Sequence, residues 1–226
     1  MRVNADFSKP VVITPAQHKW VPSPQSGVER VMLDRIGAEK ARATSLVRYA
    51  PDSFFPTHEH PGGEEILVLS GVFSEANRHH AAGSYLRNPP GSSHQPYTRE
   101  GAVIFVKLMQ MQAEDCAQVH VDTTRTELWQ SHGNCRHCVL FENANERVEL
   151  IELHPLAGLN TSSGFGYELL LLKGQLLADG NVLPSGSWAR FPPTITLNAI
   201  ADSCGATLYL KTGKLVGDGI AGFEHE

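Results

Sequence analysis

The sequence is short of the features that would place it in several large classes. It holds only four cysteines in 226 residues, with no pairing pattern, which does not describe a secreted disulfide scaffold. Lys and Arg number 19 against 24 acidic residues, a net charge of −5, so a general nucleic-acid footprint is missing. No apolar run approaches the length needed to span a bilayer. The opening residues, MRVNADFSKPVV, lack a basic stretch followed by an apolar core, so no signal peptide is apparent. No stretch of ten or more residues carries a convincing helical apolar stripe. These absences lead to the expectation of a cytoplasmic, soluble, helix-poor protein that binds neither nucleic acid nor membrane.

What is present is turn chemistry: 20 glycines and 14 prolines punctuate strand-length apolar runs at 66–69, 103–108, 138–141, 148–153, 169–172 and 207–210. Pro61-Gly62-Gly63, Pro89-Pro90-Gly91, Asp179-Gly180-Asn181 and Pro184-Ser185-Gly186 separate them. The pattern predicts an all-β chain with room for two domains of about 100–110 residues.

The chain also repeats itself. Gly83-Ser84-Tyr85-Leu86-Arg87-Asn88-Pro89-Pro90 returns as Gly186-Ser187-Trp188-Ala189-Arg190-Phe191-Pro192-Pro193, an offset of 103 residues. The same offset carries Gly71 to Gly174, Glu65 to Glu168, Leu67 to Leu170 and Leu69 to Leu172. After a slip of one, 103–107 matches 207–211. A unit this long is a domain rather than a solenoid repeat. Residues 112–130 read as a polar linker, which predicts one domain over 1–115 and a second over 116–226.

The first domain carries a metal-type constellation. His58 and His60 alternate on one strand and so share a face. After the turn Pro61-Gly62-Gly63, Glu64 opens a new strand and can return a carboxylate to the same point. His94 follows the tight turn Pro89-Pro90-Gly91-Ser92-Ser93. Three imidazoles and a carboxylate suit Zn, Fe, Mn, Ni or Cu, and not Ca or Mg.

His58-x-His60-x3-Glu64-x6-Gly71 resembles the first cupin motif, and Gly83-x5-Pro89-x-Gly91-x2-His94 resembles the second. The resemblance implies a double-stranded β-helix barrel in which His58, His60, Glu64 and His94 ligate one divalent metal, Glu65 pointing to the opposite face in a structural role. Asp52 stands where the first motif carries a glycine six residues before its first histidine, and Thr98 where the second usually closes on asparagine. The stretches 55–65 and 85–94 are similar, more narrowly, to the zinc-binding cupin domain of ChrR-type anti-sigma factors. With the repeat, this implies two tandem cupin barrels, a bicupin. Applying the offset, His58 falls at Thr161, His60 at Ser163, Glu64 at Tyr167 and His94 at Leu197, so the second barrel is expected to have lost its ligands and filled with apolar side chains.

Other candidates read more plainly. His79-His80 suggests a solvated turn. Arg48, Arg87 and Lys107 can anchor an anion but read better as surface residues. Cys135-x2-Cys138, flanked by His132 and His137, has the spacing of a metal or redox pair, although alternation makes Cys138 a core residue. Cys116 and Cys204 are isolated. The ChrR resemblance implies a regulatory role, a zinc-holding sensor module of the oxidative (singlet oxygen) stress response. Its partner would be a sigma factor or other regulatory protein, with a small-molecule ligand or a homodimer also open. The competing expectation is a metal-dependent dioxygenase or small-molecule lyase, for which no catalytic residue beyond the ligands stands out.

Overall fold

The computed structural model describes residues 1–38, 40–161, 164–178, 180–213 and 215. Their regular structure is antiparallel strand, apart from two three-residue 3-10 turns at Pro15–Gln17 and Thr126–Leu128. The all-β expectation holds among the described residues, and no helix there is long and apolar enough to cross a membrane.

The chain divides into two compact units. The first holds Met1–Ala5 and Lys19–Thr124, the second Asp6–His18 and Arg125–Leu215. In the first, the main sheet runs Arg2–Val3, Val28–Gly37, Ala41–Tyr49, Ala102–Leu108, Glu64–Glu75, Ser84–Asn88, Val119–Asp122. In the second it runs Gln130–His132, Cys135–Glu142, Glu146–Leu153, Leu197–Gly213, Tyr167–Ala178, Trp188–Phe191, Val11–Ile13. The five inner strands therefore repeat one order in the two halves of the sequence.

The repeat extends to irregular details. Gly71 has φ +71°, and a Cβ there would lie 2.0 Å from the Gly101 carbonyl oxygen. Gly174 has φ +74°, and its Cβ would meet the Gly205 carbonyl at the same distance. Only glycine fits either position. Just before each glycine the register slips: Val103 faces Ser70 while Ile104 faces Val68, and Thr207 faces Lys173 while Leu208 faces Leu171. A bulge of this kind re-aims the side chains beyond it. In the first unit Ile66 and Val68 precede the slip, Phe73 follows it, and all three enter the same apolar core. Parity has switched, so Glu64 and Glu75 end on one side of the strand although they are an odd number of residues apart.

Three readings change. The supposed linker is not free chain, because Val119–Asp122 pairs with Ser84–Asn88 and Asp115 forms an ion pair with Arg87. The expected division at 115/116 differs accordingly from the structural one after Thr124, and Val11–Ile13 adds to the second unit's sheet through Trp188–Phe191. Arg87 and Lys107 are not surface residues. Both are 1% exposed and flank the buried Glu65 across neighbouring strands, a row repeated as Lys211, Glu168 and Arg190. A buried carboxylate between two cations offsets the desolvation that each charge would suffer alone.

Candidate metal centre

A two-stranded ladder delivers three of the four expected donors. His58–His60 pairs with Ser92–His94 so that His94 faces His58 and Ser92 faces His60. Alternation turns Glu59 outward and both flanking histidines inward. Glu64, first residue of Glu64–Glu75, supplies the carboxylate. One ligand-type atom from each of His58, His60, Glu64 and His94 lies within 4.8 Å of all the others. The ring centroids of the three imidazoles are 4.6–4.9 Å apart.

The hydrogen bonds define which nitrogen of each ring is available. His58 Nδ1 lies 2.9 Å from the Pro56 carbonyl oxygen, His60 Nδ1 3.1 Å from Ser92 Oγ, and His94 Nδ1 2.5 Å from Glu75 Oε2. The Pro56 carbonyl and the Glu75 carboxylate can only accept, so they favour Nδ1–H with a lone pair on Nε2 in His58 and His94, and the Ser92 hydroxyl can accept in the same way from His60, the outer-shell arrangement of metal-binding histidines. His60 Nε2 and His94 Nε2 are buried without a hydrogen-bond partner, yet each stands 3.4 Å from Glu64 Oε2. Donors at about 2.1 Å around a tetrahedral ion stand about 3.4 Å apart. Two orphaned acceptors and a carboxylate oxygen at that spacing fit a metal ion. Asn88 Nδ2 donates to Glu64 Oε2 at 3.2 Å and holds the carboxylate in place.

The electrostatics follow from burial and neighbours. Burial pushes the His60 imidazole below its ordinary value, the Glu64 charge opposing and the other two rings adding. Burial also acts against protonated His94, but the hydrogen bond to Glu75 and the charges of Glu64 and Glu75 outweigh it and leave the group raised. Glu75 is held well below the carboxylate range by His80 and His94. Burial, with the Glu64 charge, drives the Tyr49 phenol upward.

The structure brings together the four residues that the sequence spacing singled out, His58, His60, Glu64 and His94, but the residues that support them were not read from the sequence. His80 lies in the strand Arg78–Ala81, only 2% exposed, with Nε2 3.4 Å from Glu75 Oε1, so it is not a solvated turn residue. The signal available was the histidine's alternation with the exposed His79 on a strand facing Ser74 and Phe73. Glu65 points away from the centre, its Oε2 3.4 Å from Arg87. Asp52 takes φ +56°, the left-handed conformation that the expected glycine would adopt, and Thr98 Oγ1 accepts from the Gly101 amide at 3.0 Å. Arg48 is occupied by Glu29 at 2.5 Å.

In the second unit, Tyr167 and Leu197, at the positions of Glu64 and His94, sit in the apolar core with Leu169, Leu171 and Leu208. Ser163 lies outside the described residues. All four cysteines are free; Cys116 and Cys204 are exposed and Cys138 is buried.

The family described as the ChrR Cupin-like domain matches residues 8–112. No curated protein is significantly similar to the chain. Among solved structures, a provisionally assigned dioxygenase from Nostoc punctiforme superposes with a TM-score of 0.73 at 14% identity, covering 92% of this chain and 84% of the other. The bacterial pirin YhhW from Escherichia coli, in complex with nickel(II), gives 0.69 at 11% identity over 91% and 99% of the two chains. A cupin 2 conserved barrel domain protein from Leptotrichia buccalis gives 0.61 at 14% identity over 94% and 99%. The segment that carries the four donors thus matches the ChrR cupin-like domain, and the chain has a cupin-like fold.

Proposed function

We propose that the protein is a duplicated cupin, a bicupin, whose first half holds one divalent transition metal through His58, His60, Glu64 and His94 as a ChrR-like sensor. The observation that carries the metal reading is the pair of buried, unpartnered Nε2 atoms of His60 and His94 directed at one Glu64 oxygen. The match of residues 8–112 supports the sensor reading. So does the donor count, since four protein groups can complete a tetrahedral zinc shell. A bound metal would supply Lewis acidity at this point. The chain's own residues keep the donors ready: the Pro56 carbonyl, Ser92 and Glu75 retain the Nδ1 protons, and Asn88 orients Glu64. Oxidation of an imidazole removes its donor lone pair, which gives such a centre a way to register an oxidant.

Elemental analysis tests this directly. About one transition metal per chain is expected, lost in His58→Ala with His94→Ala. Singlet oxygen or an organic hydroperoxide should release it. Metal content unchanged in the double variant would overturn the ligand set, and a metal indifferent to oxidants would overturn the sensor.

A dioxygenase is the second reading, favoured by one observation besides the Nostoc neighbour. A concavity of about 640 Å³ reaches His94 and Glu75 and is lined by Phe54, Arg78, Ser93 and Tyr97. Consumption of O2 with a β-dicarbonyl, thiol or phenol, dependent on Glu64 and a redox-active metal, would decide for it.

A further inference from the structure

Cys135 and Cys138 do not act as a pair. Three residues apart on one strand, their thiols leave opposite faces, and Cys138 is fully buried while Cys135 is half-buried. What the strand does bring to Cys135 is His137, two positions on and on the same face. Cys135 Sγ lies 3.2 Å from His137 Nε2, and His137 Nδ1 lies 2.9 Å from Glu149 Oε2.

Glu149 comes from the neighbouring strand, where it faces Val139. Its side chain is 10% exposed against 24% for His137, so the carboxylate is the buried end of the row and the imidazole the more open one. Arg147 fixes it from the other side, with Nε 3.1 Å from Oε1 and Nη2 3.2 Å from Oε2. A carboxylate so anchored accepts from His137 Nδ1–H and leaves Nε2 as an acceptor facing the thiol. Cys135 itself follows the turn at Gly133-Asn134, where Gly133 has φ +57°, and its Sγ also lies 3.0 Å from the His132 carbonyl oxygen. A nucleophile, a base within hydrogen-bond reach and a third group orienting the base are the parts of an acyl-transfer site. Nothing in the metal centre uses them.

We propose that Cys135, His137 and Glu149 form a nucleophilic triad that takes an acyl group from an activated ester or thioester. Cys135 Sγ attacks the carbonyl carbon and forms the new C–S bond. The bond to the leaving alkoxide or thiolate breaks. His137 Nε2 receives the thiol proton and returns it to the leaving group, so no oxidant or reductant is needed. Burial, with the Glu149 charge adding, raises the Cys135 thiol above its ordinary value. The thiol has two acceptors within reach, the His132 carbonyl at 3.0 Å and His137 Nε2 at 3.2 Å, and its proton passes to His137 Nε2 in step with attack. Glu149 is a positioning residue, its carboxylate meeting His137 on one side and Arg147 on the other.

The test uses the full chain and p-nitrophenyl acetate. A burst of about one equivalent of p-nitrophenolate is expected, with the acetyl group on the peptide that contains Cys135. Cys135→Ala abolishes it. His137→Ala slows it about a hundredfold, the size of a general-base contribution, and added imidazole restores part of the rate. Glu149→Gln slows it about tenfold and shifts its pH profile, which a merely structural carboxylate would not do. Cys138→Ala, Cys116→Ala and Cys204→Ala leave the burst intact. Thermal unfolding of each variant reports on folding separately. Acetyl groups shared equally with the exposed Cys116 and Cys204, or a wild-type rate in folded His137→Ala, would overturn the triad. So would protection of Cys135 by one equivalent of added zinc, which would make the cluster a metal site.

Discussion

Glu64 and Glu65 are neighbours in sequence and serve opposite faces of one strand. Glu64 Oε2 stands 3.4 Å from both His60 Nε2 and His94 Nε2, whereas Glu65 Oε2 stands 3.4 Å from Arg87 Nη1 in a buried row of charges. On the proposed metal reading, the two carboxylates separate binding from stability. Glu64→Gln should abolish or severely weaken metal binding with little effect on the unfolding of the metal-free chain. Glu65→Ala should leave the donors in place and cost about 3 kcal/mol, the low end for breaking a buried pair because Asp115 still meets Arg87. Metal titration and urea unfolding of the two variants would show the effects on opposite axes; a shared pattern would contradict the assignment.

Glu75 acts on the centre through His94. Its carboxylate fixes the Nδ1 proton at 2.5 Å and is itself supported by His80. Outer-shell partners of this kind tune affinity by about 10–100-fold. Glu75→Gln should lower metal affinity within that range in a chelator competition while stoichiometry at saturation stays the same. An unaltered affinity would mean that His94 needs no orienting partner.

The two bulge glycines make a prediction about the fold. Alanine at Gly71 or Gly174 would meet a carbonyl oxygen at 2.0 Å and be held at positive φ. Each substitution should destabilise by at least about 1–3 kcal/mol, the range for a strained backbone position, read as a lower urea midpoint. Gly71→Ala should additionally disturb metal binding, because the bulge sets Glu64 and Glu75 on one side. Gly174→Ala should not. Equal loss of metal in both would show that the bulge has no part in arranging the donors.

The contrast between what the sequence revealed and what it hid has a physical cause. His58, His60, Glu64 and His94 were legible because alternation and turn length are local, and the spacing of two short motifs encodes both. The order of the inner strands was foreshadowed by the repeat. Hidden were contacts set by long-range pairing: Val11–Ile13 beside Trp188–Phe191 and Val119–Asp122 beside Ser84–Asn88. No local pattern marks a strand that completes a sheet edge from a distant part of the chain. Buried Arg87 and Lys107 misled for the same reason, since their neutralising partner Glu65 arrives from a different strand.

The edge strand Val11–Ile13 should be sensitive to pH through His18. That imidazole ends the segment Asp6–His18, and its Nε2 is buried without a hydrogen-bond partner. Burial lowers it below the ordinary value of 6.5, against a smaller raising influence from the Gly186 backbone. A base depressed in the docked state binds its proton more readily when the segment is free. Docking is therefore at full strength above about pH 6.5 and weakens as pH falls through that value towards the docked-state pKa. Hydrogen-exchange protection factors for Val11–Ile13, whose strand pairs with Trp188–Phe191, should drop between pH 7.5 and 5.5. The drop should be absent in His18→Gln, which keeps the size of the side chain but cannot charge. A wild-type chain with equal protection at the two pH values, or a variant that retains the dependence, would show that His18 does not govern the docking of this strand.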